Sequence, residues 1–321
     1  MSEYPPLSSN QNSVHEDEVD LRELIRVLWQ GKYWLIGTTF IAAIMSVAYA
    51  LWLPNIYQAE ALLATSQGSN GGLSSLTSQY GGLASLAGIS LPGGETDDKI
   101  IGIAKLQSRR FTADFIERRN ILPELMAASA YNVNTGELIL DSKIYDSETG
   151  MWTRDVNPPL QKEPSFQEAF LHMSEILNVT EDVETGFVSV SIEHLSPLIA
   201  SEWIMWLIDD LNREMMMEAA AEAQQSIDYL TDQLEKTQLV ALEQVFYTLI
   251  EEQTKTIMLA NSRAEYLFKT IDPAIAPERK FRPVRSRICI LGTFLGGILG
   301  VLLVLMRFYV SKNTKDASSL A

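Results

Sequence analysis

Tyr33 to Leu53 reads YWLIGTTFIAAIMSVAYALWL, and no charged residue lies between Lys32 and Glu60. As a helix these 21 residues rise about 30 Å, the thickness of a hydrocarbon core. Trp34 and Trp52 stand near its two ends, where aromatic rings favour the lipid–water interface, and Pro54 closes the run. A second run, Ile288 to Met306 (ICILGTFLGGILGVLLVLM), lies between Arg287 and Arg307, and its 19 uncharged residues also suffice to span. Within it Gly292, Gly296 and Gly300 recur every fourth residue. That spacing lets two helices approach closely; the plainer reading is that Gly is common in membrane helices. The single cysteine, Cys289, also lies here and reads as an apolar filler. Two alternatives compete with a pair of spans. One is a buried helix of a soluble core. The other, for the first run only, is a cleaved signal with Ala48-Tyr49-Ala50 as its site, opposed by a preceding 32-residue stretch that is long and acidic.

Two spans put both ends of the chain on one side and residues 54–287 on the other. Arg22, Arg26 and Lys32 before the first span, and Arg307, Lys312 and Lys315 after the second, favour cytoplasmic tails at 1–32 and 307–321. Arg279, Lys280, Arg282, Arg285 and Arg287 oppose that orientation, but a translocated stretch of 287 − 54 + 1 = 234 residues largely escapes the charge rule. The chain carries 25 Lys and Arg against 41 Asp and Glu, a net of −16, and 19 − 34 = −15 of it falls between residues 54 and 287. Such acidity excludes a nucleic-acid binder, which needs clustered cations. One Cys and three His (His15, His172, His194) exclude a disulfide framework and leave little for a metal site.

Inside the large segment, Ile56 to Thr65 reads as a strand. Gln67 to Gly94 holds eight Gly and no charge, with an imperfect repeat at Gly71–Leu76 and Gly81–Leu86. It is either a flexible low-complexity loop or an apolar loop set in an oligomer interface or lumen. Asp97 or Asp98 caps an expected helix to about Arg119, striped by Ile100, Ile103, Leu106, Phe111 and Phe115. Residues 131–164 read as turns and short strands. Ser165-Phe166-Gln167-Glu168 is a capping box for a helix to about Leu177, and Phe187 to His194 alternates as a strand with Val188, Val190 and Ile192 on one face.

Ser196-Pro197 opens the longest feature, because residues 198–272 contain no Gly or Pro. A single helix of that length would reach about 110 Å, yet the chain must return to the second span. The expectation is therefore a hairpin: a helix from Pro197 to about Lys236 projecting about 60 Å, a reversal at 237–242, and a descending helix to about Ala260. Tyr266 to Ile271 then reads as a strand. Ile227, Leu230, Leu234 and Ala241 or Leu242 have coiled-coil-like spacing for burial between the two helices, whereas Trp203, Trp206 and Met215–Met217 need other partners. The expected fold class is α+β: two transmembrane helices (33–53 and 288–306) framing a periplasmic α/β base (54–195 with 261–278) that carries a long helical hairpin (196–260).

No phosphate loop, H-E-x-x-H, paired-Cys motif or nucleophile elbow occurs. The adjacent acids Asp209-Asp210 and Glu251-Glu252 point in different directions on a helix and read as solvated surface. His172 and His194 read as structural. No catalytic, metal-binding or cofactor-binding residue is assigned. The candidate functional positions concern assembly instead: Leu230 and Leu234 on the hairpin, and Gly292, Gly296 and Gly300 in the second span.

In its order of parts the chain resembles the Wzz-type chain-length determinants, the polysaccharide co-polymerases of Gram-negative bacteria. The markers are Asp20-Leu21-Arg22-Glu23-Leu24 and Leu28-Trp29-Gln30-Gly31-Lys32 before the first span, and Ser196-Pro197 opening the long helix. Ala260-Asn261-Ser262-Arg263 and Tyr266 to Pro277 resemble the family's returning segment, and Pro273, Pro277 and Pro283 its proline-rich run. Where similar proteins often end that run in Ser-Pro-Lys, this chain has Arg282-Pro283-Val284-Arg285. The resemblance implies a homo-oligomeric ring in the bacterial inner membrane with its bulk in the periplasm. It further implies no catalytic activity and no cofactor. Its implied partners are a Wzy-type polymerase and lipid-linked polysaccharide, and its implied role is to set O-antigen length.

Three rivals stand beside that reading. The first is a co-polymerase or adaptor for exopolysaccharide or capsule export, working with a separate cytoplasmic tyrosine kinase; the short tail after Arg307 leaves no room for a fused one. The second is a sensor, which requires a cytoplasmic output module. The third is a periplasmic enzyme, which requires a constellation this sequence lacks.

Overall fold

The computed structural model describes residues 21–66, 95–237 and 240–318. The Gly-rich stretch 67–94 lies outside the described residues. The chain divides into two compact units: residues 1–53 with 283–321, and residues 54–282.

In the first unit, helix α1 (Leu21–Gln30) is followed by α2 (Lys32–Trp52) after Gly31 alone, and the last helix of the chain, α9, runs Arg285–Ser318. The helix thus extends beyond the expected 288–306 at both ends, because nothing in Arg285–Arg287 or Arg307–Ser318 breaks it. Two helical segments, Lys32–Trp52 and Arg285–Phe308, are long and apolar enough to cross a membrane. The buried share of their most apolar windows is only 6% and 17%, whereas a soluble core helix would be mostly buried.

In the second unit, β1 (Tyr57–Thr65) is followed by α3 (Glu95–Leu106), α4 (Arg109–Arg119) and α5 (Leu122–Ala127). Two small hairpins come next, β2 (Ala128–Asn132) with β3 (Glu137–Leu140) and β4 (Tyr145–Asp146) with β5 (Met151–Trp152). After them run α6 (Phe166–Ile176), β6 (Leu177–Glu181), β7 (Val188–His194), α7 (Pro197–Lys236), α8 (Val240–Ser262) and β8 (Phe268–Asp272). The single helix expected through Arg119 is two helices. Ser108 interrupts it in extended conformation, and its hydroxyl accepts from the Phe111 N–H as the N-cap of α4. The Ser165–Glu168 capping box forms as expected at the start of α6.

β6, β7, β1 and β8 form a sheet in that order, antiparallel throughout. The register pairs Tyr57 with His194, Ala59 with Ile192, Ala61 with Val190 and Leu63 with Val188, so the alternate positions of both strands bury one face. α7 lies on that face through Ala200, Trp203, Ile204, Leu207 and Leu211, all in the main core. Ala59 and Ala61 of β1 and the fully buried Trp203 of α7 belong to the same core. Trp203 and Met215 thus find their partners in the base, not along the hairpin. The core also claims the first half of α7, joining what a boundary at 195/196 separates by sequence. Beyond Met215 about 30 Å of α7 remains to pair with α8, half the length expected.

Candidate functional site: the helical hairpin and the glycine-lined helix pair

α7 ends at Lys236, where Thr237 turns to extended backbone, and α8 begins at Val240. Leu230 from α7 and Phe246 and Leu249 from α8 form a separate buried cluster, with Leu234, Leu242, Val245 and Ile250 packed against it. Leu230 and Leu234 therefore occupy the seam of their own hairpin. The outward surface of α8 still carries apolar side chains: Val240, Tyr247 and Met258 are exposed. Val240 and Tyr247 are seven residues apart, two helical turns, and so lie near one line of the helix.

The return from α8 is held by a residue that the sequence reading passed over. Asn212 is buried on α7; its amide nitrogen donates to the Phe268 carbonyl (2.9 Å), and its oxygen accepts from the N–H groups of Leu267 and Phe268 (2.9 and 2.8 Å). One side chain thereby satisfies three backbone groups at the start of β8. Composition offers no signal for it, since an Asn within a polar helical run is ordinary.

Asp209-Asp210 does not behave as solvated surface. Asp209 is exposed, but Asp210 is fully buried. Arg119 clasps it with two hydrogen bonds, Nη2 to Oδ1 at 2.7 Å and Nε to Oδ2 at 3.2 Å, and Arg118 adds an ion pair at 3.2 Å. The Arg119 guanidinium lies over Trp206 at 5.1 Å, and its hydrogen bonds to Asp210 raise its pKa above the ordinary value. The clasp ties α4 to α7 beside an open groove lined by Arg110, Asp114, Arg118, Arg213, Met217 and Ala221. His194 is buried beside Trp203, accepts from the Ser196 N–H on Nδ1 (3.1 Å), and is held below the usual imidazole range by that burial. It joins the end of β7 to the N-cap of α7. Among the described residues no group of three or more His, Cys, Asp or Glu is placed to hold a metal ion.

In the first unit the glycines of α9 meet α2. A Cβ built on Gly292 would collide with Ser46, one on Gly296 with Ala42, and one on Gly300 with Thr38 and Leu35. Near the ends of the contact Gly31 abuts Val304 and Arg285 Nε donates to the Ala50 carbonyl. As the α2 residue number rises its α9 partner falls, so the helices are antiparallel along one seam. The complementary signal is present in α2 as Thr38, Ala42, Ser46 and Ala50, small residues at every fourth position, which the sequence reading did not use. Of the proline-rich run, Pro273 is exposed directly after β8, Pro277 is half-buried and Pro283 is buried. Before Pro283 the chain is tied to the start of β1, where the Phe281 and Arg282 N–H groups donate to the Ile56 carbonyl.

Residues 17–118, which is 118 − 17 + 1 = 102 of the 321, match the family model described as Wzz, chain length determinant protein. The ECA polysaccharide chain length modulation protein of Salmonella typhimurium strain LT2 is 35% identical over 57 residues, 18% of this chain. The matched part spans only 16% of the length of that relative. Among solved structures, a full-length bacterial polysaccharide co-polymerase is 14% identical, covering 91% of this chain and 99% of its own at a TM-score of 0.43. A fragment of WzzB, a polysaccharide co-polymerase from Salmonella Typhimurium, is 13% identical, covering 71% and 100% at a TM-score of 0.29. Residues 17–118, the segment that holds α2 and β1, are similar to the Wzz chain length determinants.

Proposed function

We propose that this chain is a non-enzymatic scaffold of the bacterial inner membrane. It sets the length of lipopolysaccharide O-antigen chains as a Wzy-type polymerase extends them on a lipid carrier. The match of residues 17–118 to chain length determinants carries the reading. Two antiparallel apolar helices, each long enough to cross a membrane, support it. The working form is a homo-oligomeric ring. Tyr247 and Met258, exposed on α8, supply apolar surface for a neighbouring protomer. Leu230 and Leu234 serve assembly by holding α8 in place, the seam at Gly292, Gly296 and Gly300 by keeping the spans paired, and Pro273, Pro277 and Pro283 by holding the returning chain extended.

A second reading of the glycan has one specific support: the curated relative is named for ECA polysaccharide. Deleting the gene and resolving each surface polysaccharide on a gel separates the two. Loss of the modal cluster in the O-antigen ladder, restored by the intact chain, is the expected result. A shift confined to ECA assigns the second reading, and unchanged ladders for every surface polysaccharide overturn both.

A further inference from the structure

Three exposed cations lie on three helices towards the Gly31 end of the helix pair. Gly31 is the whole connection between α1 and α2, and a Cβ there would strike Val304, so this connection is pressed against α9. Arg26 of α1, Lys32 at the first position of α2 and Arg307 of α9 are all exposed. Lys32 Nζ lies 5.6 Å from the Trp29 ring centre and 5.3 Å from that of Tyr33, and Arg307 lies 5.3 Å from that of Trp34. The rings are exposed as well, Trp29 by 71%, Tyr33 by 78% and Trp34 by 57%, so no protein packing explains them. Along the chain no acid occurs between Glu23, one turn before Arg26 on α1, and Glu60, or between Glu278 and Asp316.

Aromatic rings at a span's boundary take the level of the lipid headgroups. Stacking steadies Lys32 and Arg307 against their rings while leaving their donors pointed at an outside acceptor. The acceptors abundant at that depth are headgroup phosphates, and an anionic headgroup adds net charge that cations attract. We propose that Arg26, Lys32 and Arg307 form a binding site for an anionic phospholipid headgroup. Lys32 and Arg307 take the phosphate oxygens from two helices and Arg26 closes the site from α1. The site is a tertiary product: the glycine seam sets the register of α2 against α9, and with it the level of residue 307 against residues 26 and 32. The inference rests on α2 and α9 spanning a membrane, which alkaline extraction of membranes tests separately, and it does not depend on which glycan the protein serves.

The test uses the purified full chain, titrated in detergent with phosphatidylglycerol or phosphatidylcholine and followed by native mass spectrometry. The wild type is expected to retain phosphatidylglycerol in preference to phosphatidylcholine. Each cation removed should weaken that retention about fivefold, so Arg26→Gln, Lys32→Gln and Arg307→Gln together should weaken it about a hundredfold. The exchanged pair Lys32→Arg with Arg307→Lys should keep the preference, and Arg287→Gln at the other end of α9 should leave it unchanged. Equal retention by the wild type and the triple variant overturns the proposal. So does equal retention of the two lipids, or a similar loss in Arg287→Gln. Inorganic phosphate at the same concentration should not displace the lipid; displacement would assign the site to free phosphate instead.

Discussion

Glu168 shows how one side chain joins local and tertiary structure. Its carboxylate caps the start of α6 by accepting from the Ser165 N–H, and it also accepts from the Arg154 guanidinium at 2.6 and 3.0 Å. Arg154 in turn donates to the carbonyls of Gln161 and Lys162, so the loop between β5 and α6 closes on this pair. The Arg154 hydrogen bond, followed by the cap, pushes the Glu168 pKa down to about 2. A carboxylate whose folded pKa is depressed stabilises the fold above its unfolded pKa. The contribution is lost as pH falls from about 4.5 toward about 2. With part of the pair open to water, the share is about 1 kcal/mol after solvent screening. Glu168→Gln should lower stability by that amount at pH 7 and by nothing near pH 2, measured by urea denaturation across pH. Asp210 is a harsher case, since it is fully buried between Arg118 and Arg119. Asp210→Ala should cost about 3 kcal/mol, the lower end for a broken buried pair because both arginines keep access to water. A loss below 1 kcal/mol in the same assay would show that the clasp does not hold α4 to α7.

At the scale of elements, two helix pairs rest on opposite kinds of packing. The α7–α8 hairpin buries large side chains, so deletion is the informative change. Leu230→Ala leaves a gap against Phe246 and Leu249, with an expected cost of about 3 kcal/mol. Hydrogen exchange should then rise in residues 223–250 while the sheet stays protected. Equal loosening of the sheet would mean that hairpin and base form one cooperative unit. The α2–α9 pair sets glycines against mostly small side chains at its seam, so addition is the informative change. Gly296→Leu drives a branched side chain into Ala42. Cysteines introduced across the seam should then lose their oxidative cross-link. The same change at Gly297, whose Cβ would meet only Thr39 Oγ1 at 3.9 Å, should preserve it.

For the whole molecule the open surface of α8 decides the outcome. If rings form through this surface, Tyr247→Lys with Met258→Glu should leave the protomer fold unchanged, since both side chains are exposed. The oligomer measured by native mass spectrometry should fall apart and the glycan ladder broaden toward that of the deletion strain. An intact oligomer with a normal ladder would remove α8 from the interface.

Much of this architecture was legible because its signals are local. Twenty-one uncharged residues, a capping box and Ser196-Pro197 ahead of 75 residues without Gly or Pro each act over a few turns of chain, so they need no partner to be read. Local signals also indicated the seam role of Leu230, because its spacing with Leu234 is a property of one helix. What lay beyond the sequence was every feature whose partner is distant along the chain. Asp210 looked like solvated surface until α4 placed Arg118 and Arg119 against it, and Asn212 looked ordinary until the return strand arrived at its amide. The break at Ser108 and the capture of Trp203 by the sheet were settled the same way. Hydrophobic periodicity and capping are energies of neighbouring residues, and they determined the elements. Burial of a charge or a polar amide is an energy of encounter, and only the tertiary structure decided which encounters take place.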